Sequence, residues 1–504
     1  MKTFTRNQYI IFFTVYAVFI AAVLFIMPYG DDWGYSSEPK IGESLAHLKI
    51  LPEGGKWRPL EVIYGYLLGF IPWAYPVLNH IIVVTGHFIS AYFFILIGMR
   101  FGFTRTVSFW SGILFIISGN TFATFSSVDS INQSLSLAFG VLSVWYCVKK
   151  DRINYPLYIL FCWLSVLSKE SGFLFFLVGP AFYAANRFVT FKGIKRRDWK
   201  SLIAPFGIGL LMVLLYFSIT FGIDFVEQMI NKESGKEWTK NEYYNIPFGI
   251  VSLLARFIPM DMPAFLLSPR NYPVFAVSLL LPLPLIIYSA WSSVKHLLKG
   301  NLLSFAAVAC ALVMALSHAK VGAITEMNGY HILFFLNFMF LFGLKDLKRT
   351  TGIIFISLFI IGSGTSLIHK YTIIRKTNRL SEIVVNNISA QTTIIPENVL
   401  IILVDNESLG HDIYQPIAAS ASGGGDIMKM IWNKWDMKTS YLTCRIDADP
   451  SELIRRGEVI ILDKENANEE IKEIANRNLS DYDAVWVIRQ NGNVQVYTSN
   501  TEMP

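Results

Sequence analysis

Charged residues are scarce in this chain of 504 residues: they make up only 16% of it, whereas hydrophobic residues make up 53%. In soluble domains about a quarter of the residues are charged, so this composition is not that of an ordinary soluble protein. Cysteine is scarce too, and the four cysteines lie far apart, which leaves neither a disulfide framework nor a zinc cluster. No repeat with a fixed period is present. The composition predicts a polytopic membrane protein.

Long uncharged runs fill residues 1–369 and set the predicted topology. Residues 9–27 contain nineteen residues without a charge, enough to cross a hydrocarbon core of about 30 Å as a helix. Basic residues bunch in short connectors between such runs, and the positive-inside tendency places these connectors in the cytoplasm. The net charge of +6 therefore does not indicate a nucleic-acid partner. We expect eleven crossings with a cytoplasmic N-terminus, at residues 9–27, 75–99, 107–125, 131–148, two within 155–188, 202–221, 272–290, 302–316, 330–344 and 351–367.

The run 155–188 is interrupted by the polar sequence Ser168-Lys169-Glu170-Ser171-Gly172. A single crossing would put the basic residues of 192–200 on the side opposite those of 149–152, whereas two crossings keep both groups together. Each of the two crossings is shorter than the ~20 residues that a full span needs, so we expect the turn at Lys169-Glu170 to lie below the outer surface. Ionisable groups at such depth occur mainly where they line a water-filled cavity or a site.

The first run ends at Pro28 and Gly30, and the adjacent carboxylates Asp31 and Asp32 follow at once. Proline and glycine end the helix where the bilayer gives way to water. Two interpretations are open: the pair performs acid–base chemistry, or it only marks a helix end that faces water.

Residues 370–504 differ in kind from the rest. Runs rich in β-forming residues at 399–404, 458–462 and 484–489 alternate with a helical pattern at 467–475, and Asn491-Gly492 predicts a hairpin turn. The fold class expected is thus an all-α polytopic membrane domain, residues 1–369, followed by a small extracytoplasmic α/β domain, residues 370–504.

Carboxylates and cations gather on the predicted outer side. Transfer of a sugar from a membrane-bound lipid phosphate to a hydroxyl needs both, because a carboxylate removes the hydroxyl proton while cations hold the departing phosphate. A paired acid suits this chemistry, since one carboxylate raises the pKa of its neighbour toward the working range of a base. The residues require no cofactor and do not exclude a divalent metal. The outer ionisable residues are Asp31, Asp32, Arg58, Asp129, Lys169, Glu170, Lys320, Glu326 and His331.

Several short motifs together resemble those of a known family. The acid pair, the string Trp57-Arg58-Pro59-Leu60, the Lys169-Glu170 turn and Glu326 ahead of Tyr330-His331 are similar to motifs of GT-C glycosyltransferases, multi-span enzymes that use polyprenyl-phosphate-linked sugars. The string and the turn most resemble those of tetratricopeptide-bearing O-mannosyltransferases. Length and layout resemble the bacterial and phage O-antigen glucosyltransferases that convert serotype.

The resemblance covers roughly residues 1–370 and implies a function. It implies a GT-C fold in a bacterial inner membrane, a polyprenyl-phosphate-linked donor sugar, expected to be glucose, and Asp31 or Asp32 as the catalytic base. Because the chain has no tetratricopeptide repeats, a glycan or lipid-linked acceptor is preferred over a protein. The donor-phosphate and substrate-binding candidates are Arg58, Asp129, Lys169, Glu170, Lys320, Glu326, Tyr330 and His331.

Most of these candidates also have a purely structural interpretation. Arg58 and Lys169 can form structural bridges with Glu61 and Glu170. Asp129 can cap the fourth span, since Asp is a common residue at helix starts.

The aromatic and histidine candidates have structural interpretations as well. Tyr330 and His331 can belong to a belt at the membrane interface. For His87, inside the second span, a packed and hydrogen-bonded histidine is the preferred interpretation.

A flippase or transporter of lipid-linked sugars is the rival function. Transporters bind substrate near the membrane midplane, on broken helices reached from both sides. Here the ionisable residues crowd toward one face, which favours an enzyme.

Overall fold

The structure is a computed structural model of the chain. It describes residues 4–28, 57–60, 63–64, 77–189, 193, 199–221, 272–319, 326–390, 395–405, 426–432, 434, 436–446 and 459–498. Within these ranges the chain is mostly helical and ends in a small mixed sheet.

Apolar helices form the larger part of the described chain. Six helical segments are long and apolar enough to cross a membrane, and a seventh results if a bent pair is counted as one span. Two further apolar helices, Tyr155–Ser168 and Leu302–Ala315, are shorter than these segments. The described helices of this part are α1 (Arg6–Val23), α2 (Val77–Arg100), α3 (Arg105–Ile116), α4 (Phe122–Ser126), α5 (Ile131–Val148), α6 (Tyr155–Ser168), α7 (Phe175–Arg187), α8 (Trp199–Phe221), α9 (Tyr272–Leu280), α10 (Leu283–Leu298), α11 (Leu302–Ala319), α12 (Glu326–Leu336), α13 (Phe338–Asp346) and α14 (Arg349–Ala390).

Helices α6 and α7 form a hairpin that leaves from and returns to the end of α5. The guanidinium of Arg100, at the end of α2, donates to the Val148 carbonyl at 2.8 Å and to the Asp151 carboxylate at 2.8 Å. Near the end of α7, Tyr183 donates to the Asp151 carbonyl at 3.3 Å and Asn186 to the Val148 carbonyl at 3.5 Å. Residues 155–188 thus form two helices that run in opposite directions, joined by the turn at Lys169-Glu170, rather than one continuous helix.

The remaining described connectors with basic residues lie at the same end of the bundle. The Phe103 ring packs 5.3 Å from Phe342 and beneath the ammonium of Lys345, and His296 packs 4.8 Å from Phe342. Leu302, at the start of α11, donates its backbone N–H to the Val189 carbonyl after α7 at 3.1 Å. We call this end the basic end of the bundle.

Helix α1 runs from the basic end to the opposite end. Its N-terminal neighbour Phe4 packs 5.6 Å from Phe109 in the first turns of α3. At its other end, the Ile26 carbonyl accepts a hydrogen bond from His80 Nε2 at 3.0 Å, close to the start of α2. We call this opposite end the far end.

The third predicted span is broken rather than continuous. Helix α3 ends at Ile116, a 3₁₀ turn covers Gly119–Thr121, and the segment Gly119–Ser126, which contains this turn and α4, is bent by 51° from α3. Glycine and short polar side chains make residues 118–121 poor helix formers, and Thr121 bonds back to the Ser118 carbonyl at 2.7 Å. The buried ammonium of Lys370 donates to the Gly119 carbonyl at 2.8 Å and so satisfies backbone that the break exposes.

Helix α14 is much longer than predicted. We expected it to end near residue 367, but it continues to Ala390 and passes the predicted domain boundary without a break. Its last turns bury Leu380, Val384 and Ile388 against the sheet, so tertiary packing sustains a helix whose own sequence there is polar.

The C-terminal sheet has the strand order β3-β2-β1-β4-β5. Four strands are parallel, and β5 pairs antiparallel with β4 through the predicted turn, where Gly492 has a φ of 85°. Alternate residues of β1 face α14 and α15 on one side and α16 on the other, as expected for a strand covered on both faces. The elements are β1 (Asn398–Asp405), α15 (Asp426–Trp432), β2 (Lys438–Ile446), β3 (Val459–Leu462), α16 (Ala467–Asn478), β4 (Ala484–Arg489) and β5 (Val494–Thr498).

Candidate functional site

Arg58 and Glu170 form a bidentate ion pair across 112 residues of sequence. The Nη2 group of Arg58 donates to Glu170 Oε1 at 2.6 Å, and Nε donates to Oε2. Two parallel N–H bonds give this pair the strongest geometry available to a guanidinium and a carboxylate. The string Trp57-Arg58-Pro59-Leu60 and the Lys169-Glu170 turn, two motifs far apart in the sequence, therefore meet at one place.

The turn that carries Glu170 is built by its neighbours in α6. Lys169 leaves the helix in an extended conformation, and residues Glu170–Leu174 form a 3₁₀ turn before α7 begins. A side chain at Gly172 would put its Cβ only 2.5 Å from the carbonyl carbon of Ser165. Glycine is therefore required for the turn to fold back onto α6.

The end of α6, from which the turn departs, packs against the side of α5. The Ser165 hydroxyl donates to the Ser136 carbonyl at 2.7 Å, and Ser136 is the sixth residue of α5. At 1.5 Å per residue, this contact lies about 8 Å along the axis from the start of α5. The Lys169 side chain is only 7% exposed.

Glu170 stays ionised in this environment. The turn lies outside both helices, and burial by itself raises the pKa of the carboxyl. The hydrogen bonds and charge of Arg58, together with the charge of Lys169, outweigh burial and lower the pKa of Glu170 to about 2. With Glu170 ionised, two cations and one carboxylate give this trio a net charge of +1, which suits an anionic ligand such as a phosphate.

Aromatic side chains hold residues 57–60 and 63–64 against the bundle. The Trp57 ring stacks 6.2 Å from Tyr216 in α8 and meets Trp163 in α6 edge-on at 6.4 Å. The Tyr64 hydroxyl lies 3.4 Å from the Ser168 hydroxyl at the end of α6. The segment therefore presents Arg58 from a fixed position.

Tyr330 and His331, neighbours on α12, point into different parts of the core. The Tyr330 hydroxyl lies 2.7 Å from Nδ1 of His87, whose Nε2 lies 3.2 Å from the Ile116 carbonyl. Since a carbonyl can only accept, Nε2 carries the proton and Nδ1 accepts from Tyr330. This confirms the packed, hydrogen-bonded interpretation of His87.

His331 connects to the turn instead. Its Nε2 lies 3.4 Å from the Ser136 hydroxyl, which lies 3.2 Å from the Ser165 hydroxyl. Tyr330 is fully buried and His331 is 3% exposed, so neither belongs to an interfacial belt.

The other predicted site residues are placed in part or not at all by the structure. Asp31, Asp32 and Lys320 lie outside the described residues, as does Glu61, the bridge partner suggested for Arg58. Glu326 begins α12. The N-cap of α5 is Ser130 rather than Asp129, because the helix starts one residue later than the cap interpretation requires.

Two further buried polar residues were not singled out from the sequence. Gln133, in the first turn of α5, and Ser171, next to Glu170, are buried with side-chain oxygens that have no hydrogen-bond partner. The signal in the sequence that could have identified them is a polar residue, glutamine or serine, within apolar surroundings. Over the described ranges, no group of three or more His, Cys, Asp or Glu residues is placed to hold a metal ion.

No protein-family model matches the chain, and no protein with a curated function matches it. Function must therefore be inferred from the chain's own residues.

Proposed function

We propose that this protein is an integral membrane glycosyltransferase. It moves a hexose, with glucose as the expected sugar, from a polyprenyl-phosphate donor to an extracytoplasmic glycan acceptor such as O-antigen. A carboxylate of the first outer loop, Asp31 or Asp32, acts as the general base that removes the acceptor proton.

The observation that carries this proposal is the Arg58–Glu170 pair beside the buried Lys169. A carboxylate that lies partly buried between apolar helices is costly in a membrane protein and is retained mainly at functional sites. Here it fixes the orientation of a guanidinium, and a fixed guanidinium recognises phosphate oxygens with directional hydrogen bonds. Arg58 and Lys169 would bind the departing lipid phosphate, with Glu170 as the residue that positions Arg58.

The proposed membrane layout is GT-C-like, with eleven passes. The alternation of the described helices between the basic end and the far end supports this number when shorter and broken helices are counted as passes. The positive-inside tendency would put the basic end in the cytoplasm of a bacterial inner membrane and the C-terminal domain outside.

A donor-consumption assay tests the proposal. Purified protein is incubated with a panel of polyprenyl-phosphate-linked hexoses and an acceptor glycan, and the release of free polyprenyl phosphate is measured. Arg58→Ala is expected to reduce release at least tenfold because the KM for the donor rises. Arg100→Ala, at the basic end, is the matched arginine control and should retain activity. If no donor is consumed while liposomes containing the protein translocate a lipid-linked sugar, the flippase function replaces this one.

A further inference from the structure

The exit of α1 is held by three separate parts of the protein. The Phe25 carbonyl accepts a hydrogen bond from the Asn378 amide of α14 at 3.3 Å. The next carbonyl, that of Ile26, accepts from His80 of α2 at 3.0 Å. Met27 is 2% exposed and belongs to the apolar core of the C-terminal domain rather than to that of the helical bundle.

The core that receives Met27 is formed by the sheet and the end of α14. It includes residues from two central strands and three consecutive turns of the helix, among them Val399, Ile401, Leu380, Val384, Ile388, Trp486 and Ile488. Burying a methionine side chain there removes a large apolar surface from water. The chain just after the first helix thus shares an apolar core with the C-terminal domain.

The same domain is fixed to the bundle through α14. Asn387 donates its amide to the Gly492 carbonyl in the β4–β5 turn at 2.7 Å. A side chain at Gly492 would collide with Ile383, so this turn lies directly against the helix. Because α14 continues into the bundle without a break, the sheet, α14 and the exit of α1 form one packed unit.

The chain leads from this unit straight to the acid pair. Asp31 follows Met27 by four residues, which span at most about 14 Å when fully extended. The Cα atom of Asp31 is therefore tethered within that distance of the Cα atom of the buried Met27, and that of Asp32 within about 18 Å.

We propose that the C-terminal domain is a positioning device for the acid pair. By enclosing Met27, with His80 and Asn378 holding the two preceding carbonyls, it fixes the start of the chain segment that carries Asp31 and Asp32. This role rests on the proposed function for its catalytic consequence, whereas the fixing of the α1 exit stands apart from it. The C-terminal domain then contributes to catalysis by the transferase and is not a separate binding module.

The test compares two buried methionines in the full-length protein. Met27→Ala opens the enclosing core, and Met339→Ala makes the same change in a separate apolar cluster of α13 and its neighbours, where Met339 is 7% exposed. Both variants should lower the thermal midpoint. Only Met27→Ala should speed hydrogen–deuterium exchange in the peptide covering residues 20–36, and Met27→Leu, which keeps the volume, should restore it.

The kinetic readout separates positioning from general loss of structure. Met27→Ala is expected to lower kcat by about 10- to 100-fold, as small misplacements of catalytic groups do, with donor KM within about twofold of wild type. Unchanged exchange in Met27→Ala would overturn the fixing of the exit. Faster exchange with wild-type kcat would overturn the positioning role. If exchange is faster in Met27→Ala but the wild-type protein itself transfers no sugar, the proposed function is overturned and the fixing of the exit is still established.

Discussion

At Arg58 and Glu170, burial and charge oppose each other and charge prevails. The two side chains are 17% and 38% exposed, so the pair lies between the exposed and fully buried cases. Breaking exposed pairs costs under about 1 kcal/mol, whereas breaking buried ones costs several. We expect a double-mutant cycle with Arg58→Gln and Glu170→Gln to give a coupling free energy of about 1–2 kcal/mol, measured by thermal unfolding in detergent.

The chain supplies a control for this cycle. Arg100 and Asp151 form an ion pair at 2.8 Å at the basic end, but the Asp151 side chain is 98% exposed. The same cycle there should give less than about 1 kcal/mol. Equal coupling at the two places would show that the enclosure of Glu170 adds nothing.

The lowered pKa of Glu170 makes a separate prediction about pH. Its pKa falls from an ordinary 4.5 to about 2 on folding, so the folded state favours the ionised form. The contribution of the pair to stability is therefore complete above pH 4.5 and is lost as the pH falls through the folded value. The difference in unfolding midpoint between wild type and Glu170→Gln should stay constant from pH 8 to pH 5 and shrink below that. A difference that changes between pH 8 and pH 6 would contradict the low pKa.

The residues of this pair were predictable but their partnership was not. Arg58, Lys169 and Glu170 stood out because ionisable groups are rare in apolar surroundings. Local sequence suggested bridges within each motif. The observed pair joins residues 112 apart, and no local pattern encodes a contact at that separation.

Among the elements, the turn between α6 and α7 depends most on a single residue. Gly172→Ala would force its Cβ against the backbone of Ser165, and such overpacking costs about 1–3 kcal/mol. Because Glu170 lies two residues earlier, we also expect donor turnover to fall. Gly207→Ala in α8 is the matched control: its Cβ would meet nothing within 4 Å, so stability should stay within about 1 kcal/mol of wild type. Equal stability and turnover of the two variants in detergent would argue against a fixed turn.

Most elements followed from hydrophobic pattern and turn residues. The fourth predicted span matches α5, and the predicted strands at 458–462 and 484–489 match β3 and β4 within one residue. Strand β2 was missed because its first residues are polar and exposed, without the apolar alternation that marks a strand. The extension of α14 was missed for a related reason: the contacts that sustain it come from the distant sheet.

For the whole molecule, the position of the two ends decides the topology. The C-terminal domain packs at the far end, away from the basic connectors, so the two should lie on opposite sides of the membrane. Introduced cysteines give a direct readout, since all four native cysteines are buried. Glu473→Cys on α16 should react with an impermeant thiol reagent in intact cells, and Lys150→Cys only after permeabilisation. The reverse pattern would place the C-terminal domain in the cytoplasm and exclude an extracytoplasmic acceptor.

The measurement that tests the central claim most directly is the rate of sugar transfer by Asp31→Asn and Asp32→Asn. The amide keeps the size and polarity of each side chain but cannot take a proton. Asp31 is the nearer of the two to α1 in the sequence, and we therefore expect it to be the base. Asp31→Asn should lower kcat by about 10²–10⁴-fold, the usual effect of losing a general base, with a smaller loss for Asp32→Asn. Asp151→Asn at the basic end is the control and should transfer sugar normally. Wild-type rates in both amide variants, at normal levels in the membrane, would contradict the account and leave the acid pair as the end of a helix.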